Sequence, residues 1–261
     1  MSTLTYAVSD SATMVRRSLR HVLRYPITVV ISVGVPVLML LLFVGVFRAL
    51  GQSLATGADS LDYIDYIVPG VLLMTVAYGC QSTTMSVNQD MTEGIILRFR
   101  TMAVPGAAVL TGHVVAAVAR TLVSLGLVLG VSVALGFRPD AGVFGWLAAI
   151  GLLVLLVLAL TWLAVAVGLT APTPEGTAGF TLLVQLLPFV SSAFVPTDTM
   201  SGGVRWFAAN QPFSPIIDAI RAFLLGTPAG SDGIVAVAWC AGLMLAGFLW
   251  SRAAFRRIPV K

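Results

Sequence analysis

Long apolar runs that carry almost no charge set the tightest limit on what this chain can fold into. Residues 29–47 and 148–159 are apolar nearly throughout and do not alternate with polar residues. A membrane-barrel strand would alternate over about ten positions, so these runs argue against a barrel. Hydrocarbon offers the backbone no hydrogen-bond partner, which leaves the helix as the way across. One crossing needs about 20 predominantly apolar residues. Charged residues make up 10 % of the chain and hydrophobic ones 58 %, with a mean hydropathy of +0.97. Soluble domains are about one quarter charged, so that class is set aside. The 261 residues accommodate several crossings with short loops but no separate soluble enzyme domain.

The runs divide into six expected transmembrane helices, at about 27–47, 66–87, within 109–135, 142–169, 177–195 and 233–250. The expected fold is therefore all-α: one polytopic transmembrane domain over 1–261. The 27–47 run exceeds the 7–15 residues of a signal-peptide core and reads as a permanent helix. Ahead of it, Val15, Leu19, Val22 and Leu23 recur at helical spacing opposite Arg16, Arg17, Arg20 and Arg24. That pattern predicts an amphipathic helix over 9–25 lying in the membrane surface, held by anionic headgroups of the membrane lipids. Gly136 to Asp140 and Ala171 to Glu175 read as tight turns. Gly126, Gly130 and Ala134 form a small-residue stripe where another helix could approach.

Charge placement tests this arrangement. The segments expected inside hold Arg16, Arg17, Arg20, Arg24, Arg98, Arg100, Arg252, Arg256, Arg257 and Lys261; those expected outside hold Arg48, Arg138, Arg205 and Arg221. The excess of bases on one side fits an even number of spans with both termini in the cytoplasm. It is an orientation signal, and no nucleic-acid-binding groove is implied.

Several segments carry more than membrane filler. In the expected internal loop 88–105, Met91, Ile95, Phe99 and Met102 share one helical face, with Glu93, Arg98 and Arg100 supplying charge. The segment is either a docking surface for a soluble partner or a surface helix that anchors the loop. On the expected outer side, 204–209 and 215–225 read as two short helices. Ser214 is the expected cap of the second, Pro215 its first residue and Gly226 its stop. Eleven residues reach about 16 Å, half a crossing, so the pair reads as a re-entrant hairpin before the last span. Trp206 and Phe213 suit the headgroup level; Asp218 and Arg221 pair with each other or across the hairpin. Gln81, Arg120, Gln185, Ser191 and Ser192 either line a translocation path or make interhelical polar contacts. The more economical place for Arg120 is near the inner headgroups, with the third helix starting in the cytosol.

No catalytic, cofactor-binding or metal-ligating set stands out. The sequence has no Gly-x-x-x-x-Gly-Lys-Ser/Thr phosphate loop, no Gly-x-Ser-x-Gly elbow and no His-Glu-x-x-His helix. Cys80 and Cys240 both fall in apolar blocks and read as buried thiols.

Two stretches of text resemble a known family: Asn88-Gln89-Asp90, Glu93-Gly94-Ile95, Arg98-Phe99-Arg100 and Met102-Ala103-Val104-Pro105, then Gln211-Pro212-Phe213-Ser214-Pro215 and Asp218-Ala219-Ile220-Arg221. With the six spans and the hairpin they resemble the permease of type-2 ABC exporters, closest to the daunorubicin-resistance type of bacterial drug-efflux permease. The resemblance covers essentially the whole chain. It implies a chain that is not itself an enzyme and binds no cofactor, paired with a second permease copy or homologue. A separate cytoplasmic ABC ATP-binding subunit would hold ATP and Mg, docked at Met91, Glu93, Ile95, Arg98, Phe99 and Arg100. The complex would sit in the bacterial cell membrane and export a hydrophobic small molecule or a lipid. The rival readings are a secondary, ion-coupled transporter and a non-transporting membrane scaffold.

Overall fold

The computed structural model describes residues 33–45, 60–95 and 106–257. The expected surface helix over 9–25 lies outside them, as do Arg98, Phe99, Arg100 and Met102. Eight α-helices occur among the described residues, and no strand: α1, Val33–Gly45; α2, Ser60–Thr92; α3, Gly106–Ala134; α4, Val143–Thr170; α5, Ala178–Leu186; α6, Gly202–Asn210; α7, Phe213–Leu224; and α8, Gly230–Arg257. Four are long and apolar enough to cross a bilayer, over Tyr63–Thr92, Leu110–Ala134, Val143–Thr170 and Gly230–Arg257. The chain is thus an all-α membrane protein with several spanning helices.

At its centre stands α2, whose residues from Ile67 to Ala77 are all buried. It packs on α3, α4 and α7. Helix α8 crosses α4 on the outside, where Trp162 and Phe248 meet edge to face at 5.0 Å. Close approach needs small residues at particular points. A Cβ on Gly168 of α4 would lie 2.8 Å from the Thr84 carbonyl oxygen and 2.9 Å from Val87 Cβ on α2.

The turn after α3 shows why that helix stops where it does. Gly136 adopts φ +115°. Its N–H reaches Val133 O at 3.2 Å, and the Phe137 N–H reaches Ser132 O at 3.0 Å. This pairing satisfies the carbonyls a helix end leaves free, at a position where a side chain would be strained. Phe137 then turns inward and is fully buried. The Arg138 N–H donates to Asp65 Oδ1 at 3.3 Å, tying this turn to the start of α2.

Four expectations change. Helix α2 begins at Ser60 and continues to Thr92, so Asp65 lies on the helix and residues 88–92 extend it. The expected fifth span, 177–195, is broken: α5 is preceded by a 3-10 turn, Glu175–Thr177, and followed by another, Leu187–Val190. Pro188 cannot donate to a preceding carbonyl, which accounts for the break. Ser214 does not cap α7, because the helix already starts at Phe213 and has no side-chain cap; the Ser214 hydroxyl donates to Ala208 O at 2.5 Å and accepts the Ser192 N–H. Finally, a Cβ on Gly126 or Gly130 would meet nothing within 4 Å, so none of the described helices packs on that stripe.

Candidate functional site

Polar side chains gather at three levels along the bundle. At the first, the α6–α7 hairpin grips the start of α2 and the unwound end of α5. Arg221 of α7 pairs with Asp218 one turn earlier, at 2.5 Å. Its Nη2 donates to Ser192 O at 2.7 Å, and both Nε and Nη2 lie 3.2 Å from Tyr66 O on α2. The guanidinium also stacks over the Tyr66 ring, 3.9 Å from its centroid, an attraction that strengthens out of water. The Tyr66 hydroxyl donates to the same Ser192 O at 2.9 Å.

The neighbouring contacts finish the grip. Gln211 Nε2 donates to Leu187 O and Val190 O, at 3.2 and 2.7 Å. The Ser192 N–H donates to Ser214 Oγ at 3.3 Å, and the Ser191 hydroxyl closes locally on Pro188 O at 2.5 Å. Gly70 lets this backbone come in, because a Cβ there would sit 2.6 Å from Ala193 Cβ. The hairpin's two helices differ sharply. Trp206 on α6 is 69 % exposed, whereas Phe213, expected at headgroup level, is 2 % exposed and packs in the core. Gly226, at φ +67°, ends α7 as expected, with the Thr227 N–H on Ala222 O at 2.9 Å.

At the second level α2 meets α3 and α5. Gln185 Nε2 donates to Gln81 Oε1 at 2.5 Å, and Arg120 Nη2 donates to Thr83 Oγ1 at 3.0 Å. Arg120 Nε is buried with no hydrogen-bond partner among the described residues. Arg120 is thus held against α2 inside the bundle.

The third level lies at the opposite end of α2. Asn88 is fully buried, and its amide donates to Gly168 O and Ala171 O, at 3.1 and 2.8 Å, where α4 ends. His113 Nε2 of α3 lies 3.2 Å from Asp90 Oδ2. Met91, whose apolar face could have served a partner, packs beside the cluster of Val87, Leu110, Val114, Val165 and Leu169. Glu93 is exposed and Ile95 half-buried.

Tyr66, Thr83 and His113 thus join the residues singled out by sequence, and Asn88, Gln211 and Ser214, quoted there only within motifs or as a cap, gain specific partners. Their long-range partners lie 21 to 155 positions away, so no local pattern announces those contacts. Among the described residues no group of three or more His, Cys, Asp or Glu could hold a metal ion. Both cysteines are free and buried.

A bundle of apolar spanning helices with polar seams between them describes a membrane protein, and comparison with known proteins names the family. Residues 11–225 match the ABC-2 type transporter family, and the chain belongs to it. It is the membrane permease subunit of an ABC-type exporter system. Among its relatives is the daunorubicin resistance ABC transporter permease protein DrrB1 of Streptomyces coeruleorubidus, 29 % identical over 239 residues, 91 % of this chain and 83 % of the relative. Another is the probable doxorubicin resistance ABC transporter permease protein DrrC of Mycobacterium tuberculosis, 28 % identical over 236 residues, 90 % of this chain and 84 % of the relative.

Proposed function

We propose that this chain forms half of the membrane pathway of an ATP-driven exporter that moves a hydrophobic or amphiphilic small molecule, or a lipid, outward. ATP and Mg are bound by a separate cytoplasmic subunit, and a second permease copy or a homologue completes the path. The observation that carries this reading is the family match across 11–225 in a sequence without a phosphate loop of its own. The relatives named for daunorubicin and doxorubicin resistance favour a drug-like amphiphile as cargo.

The finer arrangement follows the charge ledger: six crossings, both termini in the cytoplasm, the 88–105 segment inside and the α6–α7 hairpin outside. Two of these crossings correspond to the shorter apolar helices Val33–Gly45 and Glu175–Val190. Residues 88–105 make the coupling contact with the ATPase subunit.

Co-purification in mild detergent tests this. The expected complex contains two permeases and an ABC ATPase, and its ATP hydrolysis rises when amphiphilic drugs are added. Transport that follows a proton gradient in vesicles lacking any ATPase would assign the chain to the ion-coupled class instead. A complex that transports nothing with its ATPase present would make it a scaffold.

A further inference from the structure

We infer that the Arg221 contacts are the outer closure of the transport path, and that the unwound end of α5 is the piece that moves when it opens. This rests on the export reading above and concerns one site within it.

The first ground is the state of the backbone. From Leu187 onward the chain leaves α-helical geometry, yet Ser191, Ser192 and Ala193 are 0, 3 and 0 % exposed. In hydrocarbon, non-helical backbone is tolerated where protein buries it or where it lines a water-filled cavity. From the end of the 3-10 turn its carbonyls are met by side chains: Val190 by Gln211, and Ser192 by Tyr66 and Arg221. Side-chain partners can be exchanged for water without unwinding a helix. While the segment is dry, losing them strands buried acceptors; once water enters, the cost largely vanishes. That asymmetry gives the segment two stable arrangements.

The second ground is where Arg221 reaches. One guanidinium joins three elements: α2 through Tyr66 O and its ring, the end of α5 through Ser192 O, and its own helix through Asp218. Asp218 is an i,i+3 partner that travels with Arg221, so the charge stays compensated when the other contacts let go. Helix α7 is the fixed side, since Ile216, Ile217, Ala219 and Ile220 are fully buried. The moving side is bordered by apolar rings, with Phe194 stacked on Phe43 at 4.6 Å and on Phe189 at 5.4 Å. Stacked faces hold no directional bond that would fix one register.

The test uses the permease with its ATPase subunit in vesicles. Cys80 and Cys240 are replaced by alanine, and Ser191→Cys serves as a near-isosteric, buried reporter that does not touch Arg221. A membrane-impermeant maleimide is supplied from outside. With Arg221 present, the reporter is protected without nucleotide and labelled when Mg and a non-hydrolysable ATP analogue are added. R221Q is expected to label at least tenfold faster without nucleotide. Y66F, which removes one donor to Ser192 O and keeps the ring, should label a few-fold faster. If R221Q fails to assemble, Y66F carries the comparison. Labelling as slow as in the parent for assembled variants would overturn the closure, as would a reporter blind to nucleotide in a complex that transports. A parent complex without partner-dependent ATPase activity or transport would instead overturn the export reading.

Discussion

Asn88 shows how much a single amide can hold together in a membrane helix. The last carbonyls of α4 have no partner within their own helix, and two of them, Gly168 O and Ala171 O, receive the Asn88 Nδ2 hydrogens. Asn88 therefore caps another helix from across the seam. Asn88→Ala should leave the buried Gly168 carbonyl and the part-buried Ala171 carbonyl without this donor, a loss of about 1–3 kcal/mol. Asn88→Asp should be worse at neutral pH, because a carboxylate only accepts and would face two carbonyl oxygens. Thermal unfolding of the detergent-solubilised protein would rank the three: parent, then Asn88→Ala, then Asn88→Asp. An aspartate variant as stable as the alanine one would mean the amide does not hold those carbonyls. In sequence this asparagine reads as the first residue of a loop, because the partners that bury it lie 80 and 83 positions away.

Whole elements were more legible than single contacts, and for a physical reason. The period and length of an apolar run belong to the chain locally, so α3, α4 and α8 fall close to their expected places. The break after α5 was signalled by Pro188 but masked by hydropathy, which stays high through residues that are not helical. The hairpin's length and its stop at Gly226 were legible too, whereas the unequal burial of its arms was not. Helix α7 places Ile216, Ile217 and Ile220 in the core, while α6 keeps Trp206 and Val204 exposed at 69 and 50 %. Ile220→Ala should cost roughly 2–5 kcal/mol through the cavity it leaves, and Trp206→Ala should change stability by less than about 1 kcal/mol. Hydrogen exchange should agree, with the amides of α7 protected far longer than those of α6. Equal protection in both arms, or a Trp206 variant as damaged as the Ile220 one, would contradict the asymmetry.

At the scale of the molecule, α2 runs past all three polar levels, and two of them lie at its opposite ends. One end is the Arg221 grip around Tyr66; the other is the Asn88 cap, beyond which the helix runs into Gln89, Asp90 and Glu93. The Glu93 N–H still bonds Gln89 O at 2.9 Å, so Glu93 continues the last turn of α2 while its side chain is exposed. A load on Glu93 would therefore act on a helix locked to α4 by Asn88 and to α3 by the Asp90–His113 contact. Met91 is used up in that internal packing, and under the proposed export reading Glu93 is the exposed charge of residues 88–95 that meets an ATPase subunit. Reversing it changes the sign of the contact while leaving the buried seams intact, and like charges across an interface disfavour docking. E93K should insert, pair and unfold as the parent does. It should lose most of its partner-dependent, drug-stimulated ATP hydrolysis and transport, by tenfold or more. A charge reversal on the ATPase subunit's facing base should restore part of both activities. Vesicles reconstituted with equal amounts of complex give the comparison, and parental activity in E93K would remove Glu93 from the coupling contact.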